Sequence, residues 1–130
     1  SAIAVNSIID GGPIYLKQNL SLAGSAQQIY KRAFKMTLFM IGKIIKEMHN
    51  PKKQVGIVTF FKRRGLNQSK LPEKGPLRRL YDYIRMLDAE GYPRAFLDYG
   101  DFLITLSKAK FRSGNISASV TIQKKDYEKN

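Results

Sequence analysis

The sequence contains no cysteine, no tryptophan and a single histidine, His49. Without cysteine there are no disulfides, no thiol nucleophile and no thiolate zinc site. One imidazole cannot supply the two histidine ligands of a zincin-type helix. Acidic residues are scarce: ten Asp and Glu stand against 23 Lys and Arg, a formal net charge of +13. No two carboxylates flank a cleft, and Asp98 with Asp101 reads more simply as a turn, so glycosidase-type acid–base chemistry has no support. Neither a Walker pattern nor GxGxxG occurs, so Gly11-Gly12 is not a phosphate loop. No run of about 18 apolar residues is present, so no membrane span is expected. The first residues lack the basic-then-apolar order of a signal peptide, and a cytoplasmic location is the expectation.

What the chain does contain is an ordinary globular composition. Its 130 residues are 43% hydrophobic and 25% charged, about the size of one domain. The charge favours partners that carry phosphates or anionic head groups, although a solvated lysine-rich surface accounts for it as well.

Patterning divides the chain. Residues 1–10 read as a strand running into a turn at Gly11-Gly12-Pro13, and residues 14–22 as a second, antiparallel strand. Ser25 with Gln28 has capping-box spacing. Ile29, Ala33, Met36, Met40, Ile44 and Met48 then recur at helical spacing, predicting a helix over 26–49 that stops at Asn50-Pro51. Lys46 and His49 suit its C-terminal dipole. Residues 51–75 hold seven basic residues and one acidic residue; they contain a short predicted strand, QVGIVTFF, within a surface-crossing connector. Pro76 is placed to start a second helix, with Gly91 as its left-handed cap. Strands follow at 95–97, 101–111 and 116–122, with a hairpin turn at Asp98-Tyr99-Gly100. The last strand alternates, with Ile116, Ala118, Val120 and Ile122 on one buried face. The tail from Lys124 is expected to fray.

Four groups could carry function. Asp10 ends an apolar strand before two glycines, where a ligand can approach backbone closely, but Asp also commonly opens turns. His49 reads as a surface residue at a helix end. Lys62, Arg63 and Arg64 follow Phe60-Phe61 and could grip phosphates, with arginine giving bidentate contacts; such clusters are also common on solvated surfaces. Arg78 with Asp82, and Arg85 with Asp88, read as structural ion pairs.

The stretch DGGPIYLKQNLSLAGSAQQIYKRA resembles the latter part of the catalytic domain of the 10-formyltetrahydrofolate-dependent formyltransferases. That family includes enzymes acting on methionyl-tRNA and on amino-sugar nucleotides. A second stretch, LYDYIRMLDAEGYPRAFLDYGDFLITLSKAKF, resembles the start of the family's C-terminal domain, and FKRR falls where the family joins its two domains. The resemblance spans residues 5–122. It implies that Asp10 matches the essential aspartate, which orients a histidine and helps accept the proton of the attacking amine. In the family an asparagine and a histidine precede that aspartate. Here Asn6 is too close to it and His49 follows it.

The expected fold is α+β. Residues 1–50 are expected to form the terminal ββα piece of a Rossmann-like catalytic domain, 51–75 a basic interdomain connector, and 76–130 a small, mostly antiparallel, barrel-like domain with one helix. The expected function is that of a formyltransferase C-terminal fragment, inactive alone and needing no cofactor of its own. The expected partners are a tRNA or nucleotide-sugar acceptor, the catalytic portion missing from this stretch, and a second copy covering the 26–49 helix. The alternative is a small basic RNA-binding module.

Overall fold

The computed structural model describes residues 1–48 and 50–125; His49 and the tail from Asp126 lie outside the described residues. The chain forms two compact units, one of Ser1–Ala23 with Gln28–Lys62 and one of Gly24–Gln27 with the residues from Arg63 onward. The fold class is the expected α+β, with two helices and antiparallel sheets.

In the first unit, β1 (Ala2–Ile3) pairs antiparallel with β2 (Ile14–Leu16). The pairing is as predicted, but both strands are far shorter. Polar turn chemistry takes the backbone that the first strand would use. Asn6 Oδ1 accepts the N–H of Ile8 at 2.9 Å, the N–H of Gly11 donates to the Ile8 carbonyl at 3.1 Å, and Asp10 has φ 55°. A Cβ on Gly12 would lie 1.7 Å from the Ala4 carbonyl oxygen, so only glycine permits this close approach.

The long helix α1 (Ala26–Glu47) matches its predicted span to within its last turn. The chain entering it is held by Arg32, whose guanidinium donates to the carbonyls of Ser21 and Ala23. Ile29 and Met40 are buried, whereas Phe34, Leu38, Phe39, Ile41 and Ile45 are 49–70% exposed.

The predicted strand QVGIVTFF does not form. Lys52 exchanges backbone hydrogen bonds with Ile14 at 2.7 and 2.8 Å, but this bridge stays isolated. From residue 53 to residue 64 there is no regular structure, and Val55, Ile57, Val58, Phe60 and Phe61 are 72–99% exposed. A strand needs a neighbour, and β2 is only three residues long. Gly56, at φ 135°, adds a backbone state foreign to a strand.

The second unit packs α2 (Leu77–Met86) on a sheet of order β3 (Ala95–Tyr99), β4 (Phe102–Arg112), β5 (Asn115–Lys124). Its core is Ile84, Leu87 and Ala95, with Leu80, Leu106, Ala109 and Ile116 against it. The three strands make an open sheet, and no closed barrel forms among the described residues. Both loops have two residues and left-handed backbone: Gly100-Asp101, with Gly100 at φ 54°, and Ser113-Gly114, at φ 48° and 75°. The first hairpin turn therefore sits two residues later than predicted, and Asp98 and Tyr99 belong to β3.

Pro76 is the residue before α2 rather than its first. Gly91 is left-handed at φ 75°, but the helix has already ended at Met86, so it serves the following turn. The apolar face of β5 is only partly covered: Ile116 and Ala118 are half-buried, while Val120 and Ile122 are 54% and 62% exposed. Part of the expected connector is built into this unit. Leu66–Ser69 forms a short 3₁₀ turn with Ser69 buried, and Leu71 joins the core and donates its N–H to the Phe96 carbonyl at 2.7 Å.

Candidate nucleic-acid interface

Lys62, Arg63 and Arg64 are all exposed and follow Phe60 and Phe61, which are 91% and 89% exposed. Lys62 closes the first unit and Arg63 opens the second. The Arg64 guanidinium donates to the Gln68 carbonyl, and the Gly65 N–H donates to Gln68 Oε1 at 2.9 Å. Gln68 thus ties the basic run to the 3₁₀ turn. None of the three cations has a carboxylate within 4.0 Å among the described residues, so their charge is open to an anion.

Other cations are occupied. Lys70 and Lys125 each lie 3.0 Å from the Asp98 carboxylate. Their hydrogen bonds, Lys125 first and Lys70 second, hold the Asp98 pKa below its ordinary value. On α2 the predicted pairs are rearranged. Arg78 stacks over the rings of Tyr81 and Phe111, at 5.3 and 5.6 Å, rather than forming the expected bridge to Asp82. Asp82 instead lies 2.6 Å from Arg85. Asp88 takes Arg94 at 2.6 Å and also the backbone N–H of Lys108 at 2.7 Å. The exposed cations Lys108, Lys110 and Arg112 of β4 were missed as a group. The alternation in KAKFR was the available signal.

Asp10 stands on the exposed turn between β1 and β2. Its carbonyl and that of Gly12 accept the Gln54 side-chain amide at 2.7 Å. Asn6 is committed to the Ile8 N–H, and His49 lies outside the described residues, so nothing described joins Asp10 in an acid–base constellation. No group of three or more His, Cys, Asp or Glu could hold a metal among the described residues. No described helix is long and apolar enough to cross a membrane.

Residues 66–123 match the family model for the C-terminal domain of methionyl-tRNA formyltransferase. The solved structure of methionyl-tRNA formyltransferase from Clostridium thermocellum matches with a TM-score of 0.91 and 42% identity over 95% of this chain. This chain is a relative of the formyltransferases. It spans 55% of the length of that protein. No curated protein matches it.

The formyltransferase domain match begins at the 3₁₀ turn and ends within β5. It therefore takes in the whole core of the second unit, α2 on its three-stranded sheet. Lys62, Arg63 and Arg64 stand immediately before it.

Proposed function

We propose that the chain is the C-terminal portion of a formyltransferase and that its task is to hold an acceptor tRNA. The observation that supports this reading is the position of three unpaired cations directly before the formyltransferase C-terminal domain. Arginine forks and a lysine point charge suit backbone phosphates. A tRNA offers an extended run of them, and a nucleotide sugar offers two.

In the family reaction the amine nitrogen of the acceptor attacks the formyl carbon of 10-formyltetrahydrofolate. The carbonyl oxygen becomes an oxyanion, the folate nitrogen leaves, and a base removes the amine proton. We place no site for that cofactor on this chain. Asp10 sits on an exposed turn whose contacts are backbone groups and Gln54, and no imidazole accompanies it among the described residues. We assign no chemical step to this chain. Asp10 contributes to chemistry only where a catalytic portion brings the asparagine and histidine to it. That portion is also the occupant we propose for the exposed apolar face of α1.

A polypeptide of these 130 residues is expected to show no turnover with 10-formyltetrahydrofolate and methionyl-tRNA, yet to bind tRNA. Turnover by this polypeptide, or tight binding of a nucleotide sugar with no affinity for tRNA, contradicts the reading.

The second reading, an RNA-binding module independent of formyl transfer, draws on Phe60 and Phe61. Exposed aromatics beside cations are what unpaired bases stack on. It predicts equal affinity for tRNA and for unstructured RNA of the same length.

A further inference from the structure

The segment after α1 returns to the turn that carries Asp10. Lys52 exchanges backbone hydrogen bonds with Ile14, and the same stretch brings Gln54 beside that turn. The Gln54 side-chain amide donates to two carbonyls, those of Asp10 and Gly12, both at 2.7 Å. A primary amide has two N–H donors and can give one to each. These contacts join residues more than forty apart in sequence, all within the first compact unit.

The other fixed points of the turn also lie on backbone. Asn6 Oδ1 accepts the Ile8 N–H, and the Gly11 N–H donates to the Ile8 carbonyl. Gly12 has no room for a Cβ against the Ala4 carbonyl. Asp10 is held at φ 55°, a left-handed state that Asp tolerates. An Asp that merely builds a turn accepts a nearby backbone N–H with its own carboxylate. Here Asn6 does that work. The Asp10 carboxylate has no ion pair and no hydrogen bond among the described residues. The turn is thus pinned through its carbonyls, and the one acidic group on it stays open.

We infer that Gln54 is a positioning residue for Asp10, holding the turn so that the carboxylate is fixed in place but not neutralised. This rests on the reading of Asp10 as the aspartate of a formyltransferase. The residue type suits the task. Glu has the same reach but no N–H to donate. Lys or Arg could donate, but its charge beside the carboxylate would form an ion pair. In a chain with 23 Lys and Arg, the donor on this turn is a neutral one. A carboxylate that helps accept a proton must be both ionised and aimed, and a misplacement of about 1 Å can cost roughly a hundredfold in rate. The acceptor is assigned to Lys62, Arg63 and Arg64, so aiming and holding should separate in the kinetics.

The test is proton exchange by NMR on the full chain, then kinetics in a fusion. In the chain, the Gln54 side-chain amide protons should exchange at least about tenfold more slowly than those of the exposed Gln123. Gln54→Glu should speed exchange of the Gly11 amide by a similar factor. It should leave the Leu71 amide, bonded to Phe96, as it was. Exchange at the Gln123 rate, or an unchanged Gly11 in Gln54→Glu, overturns the inference. The fusion places ahead of Ser1 the portion of the Clostridium thermocellum protein that this chain does not match. There Gln54→Glu should lower kcat with methionyl-tRNA at least about tenfold and leave KM within about twofold. A purely structural contact would change the melting temperature and the folded fraction, not kcat per folded molecule. Turnover lost in Asp10→Asn but kept in Gln54→Glu overturns the inference alone. Turnover kept in Asp10→Asn overturns the reading of Asp10 and the inference with it. If the fusion shows no turnover, the exchange rates decide.

Discussion

The carboxylate of Asp88 closes the bulge in β4: its Oδ2 accepts the backbone N–H of Lys108 at 2.7 Å. Lys108 has φ 52°, and the β4–β5 register shifts between Ser107 and Lys110. The other oxygen of Asp88 binds Arg94, which leads into β3. One side chain therefore ties the segment after α2 to the approach to β3 and to the bend of β4. The bulge also returns Ala109 and Phe111 to the face that carries Leu106, so that Ala109 joins the core and Phe111 meets Tyr81.

Asp88→Ala is expected to destabilise the second unit by about 1.5–3 kcal/mol, the range for a hydrogen bond to a charged group. It leaves the Lys108 N–H without its acceptor. Asp88→Asn keeps one acceptor oxygen and should cost less. Urea titration of both variants checks the order, and equal stability of Asp88→Ala and the parent chain would refute the role given to Asp88.

Gly12→Ala should break the β1–β2 ribbon. The added methyl meets the Ala4 carbonyl at 1.7 Å, and backbone cannot yield as a side-chain tip can. The Ala4 N–H, which donates to Pro13 at 2.8 Å, should lose its exchange protection. α2 and its sheet should keep theirs, because their core draws on no residue of the first unit.

Asp98 makes stability depend on acid. Its folded pKa is lowered by the hydrogen bonds from Lys125 and Lys70. Its contribution is therefore fully present above the unfolded carboxylate value, about 3.9, and is lost as pH falls through the lowered folded value. Asp98→Asn should melt below the parent chain at pH 6, and the gap should close as pH drops below about 4. A gap that is constant across this range would mean that the lysine contacts carry no charge-dependent stability.

Sequence patterning captured what depends on local periodicity. α1, α2 and the three C-terminal strands lie within a few residues of their predicted spans, because apolar spacing and the Pro-Gly punctuation around them act locally. It failed where a partner decides. QVGIVTFF has the composition of a strand, but no edge receives it beyond Lys52. The ion pairs of α2 were misassigned because Arg78 has two rings within reach, one of them on β4. The basic run at Lys62-Arg63-Arg64 was legible, since charge needs no fold to be seen. That Lys70 and Lys125 are neutralised by Asp98 was not, because the clamp joins residues far apart in the chain.

The salt dependence of tRNA binding by the 130-residue chain tests the central proposal most directly. Each neutralised phosphate contributes about 0.9 to the slope of log affinity against log salt. Replacing Lys62, Arg63 and Arg64 together by Ala should therefore weaken binding and flatten that slope by roughly 2 to 3, with the melting temperature unchanged. A slope the same as that of the parent chain, or no binding by the parent at low salt, would contradict the assignment of this segment as the acceptor-holding surface of a formyltransferase.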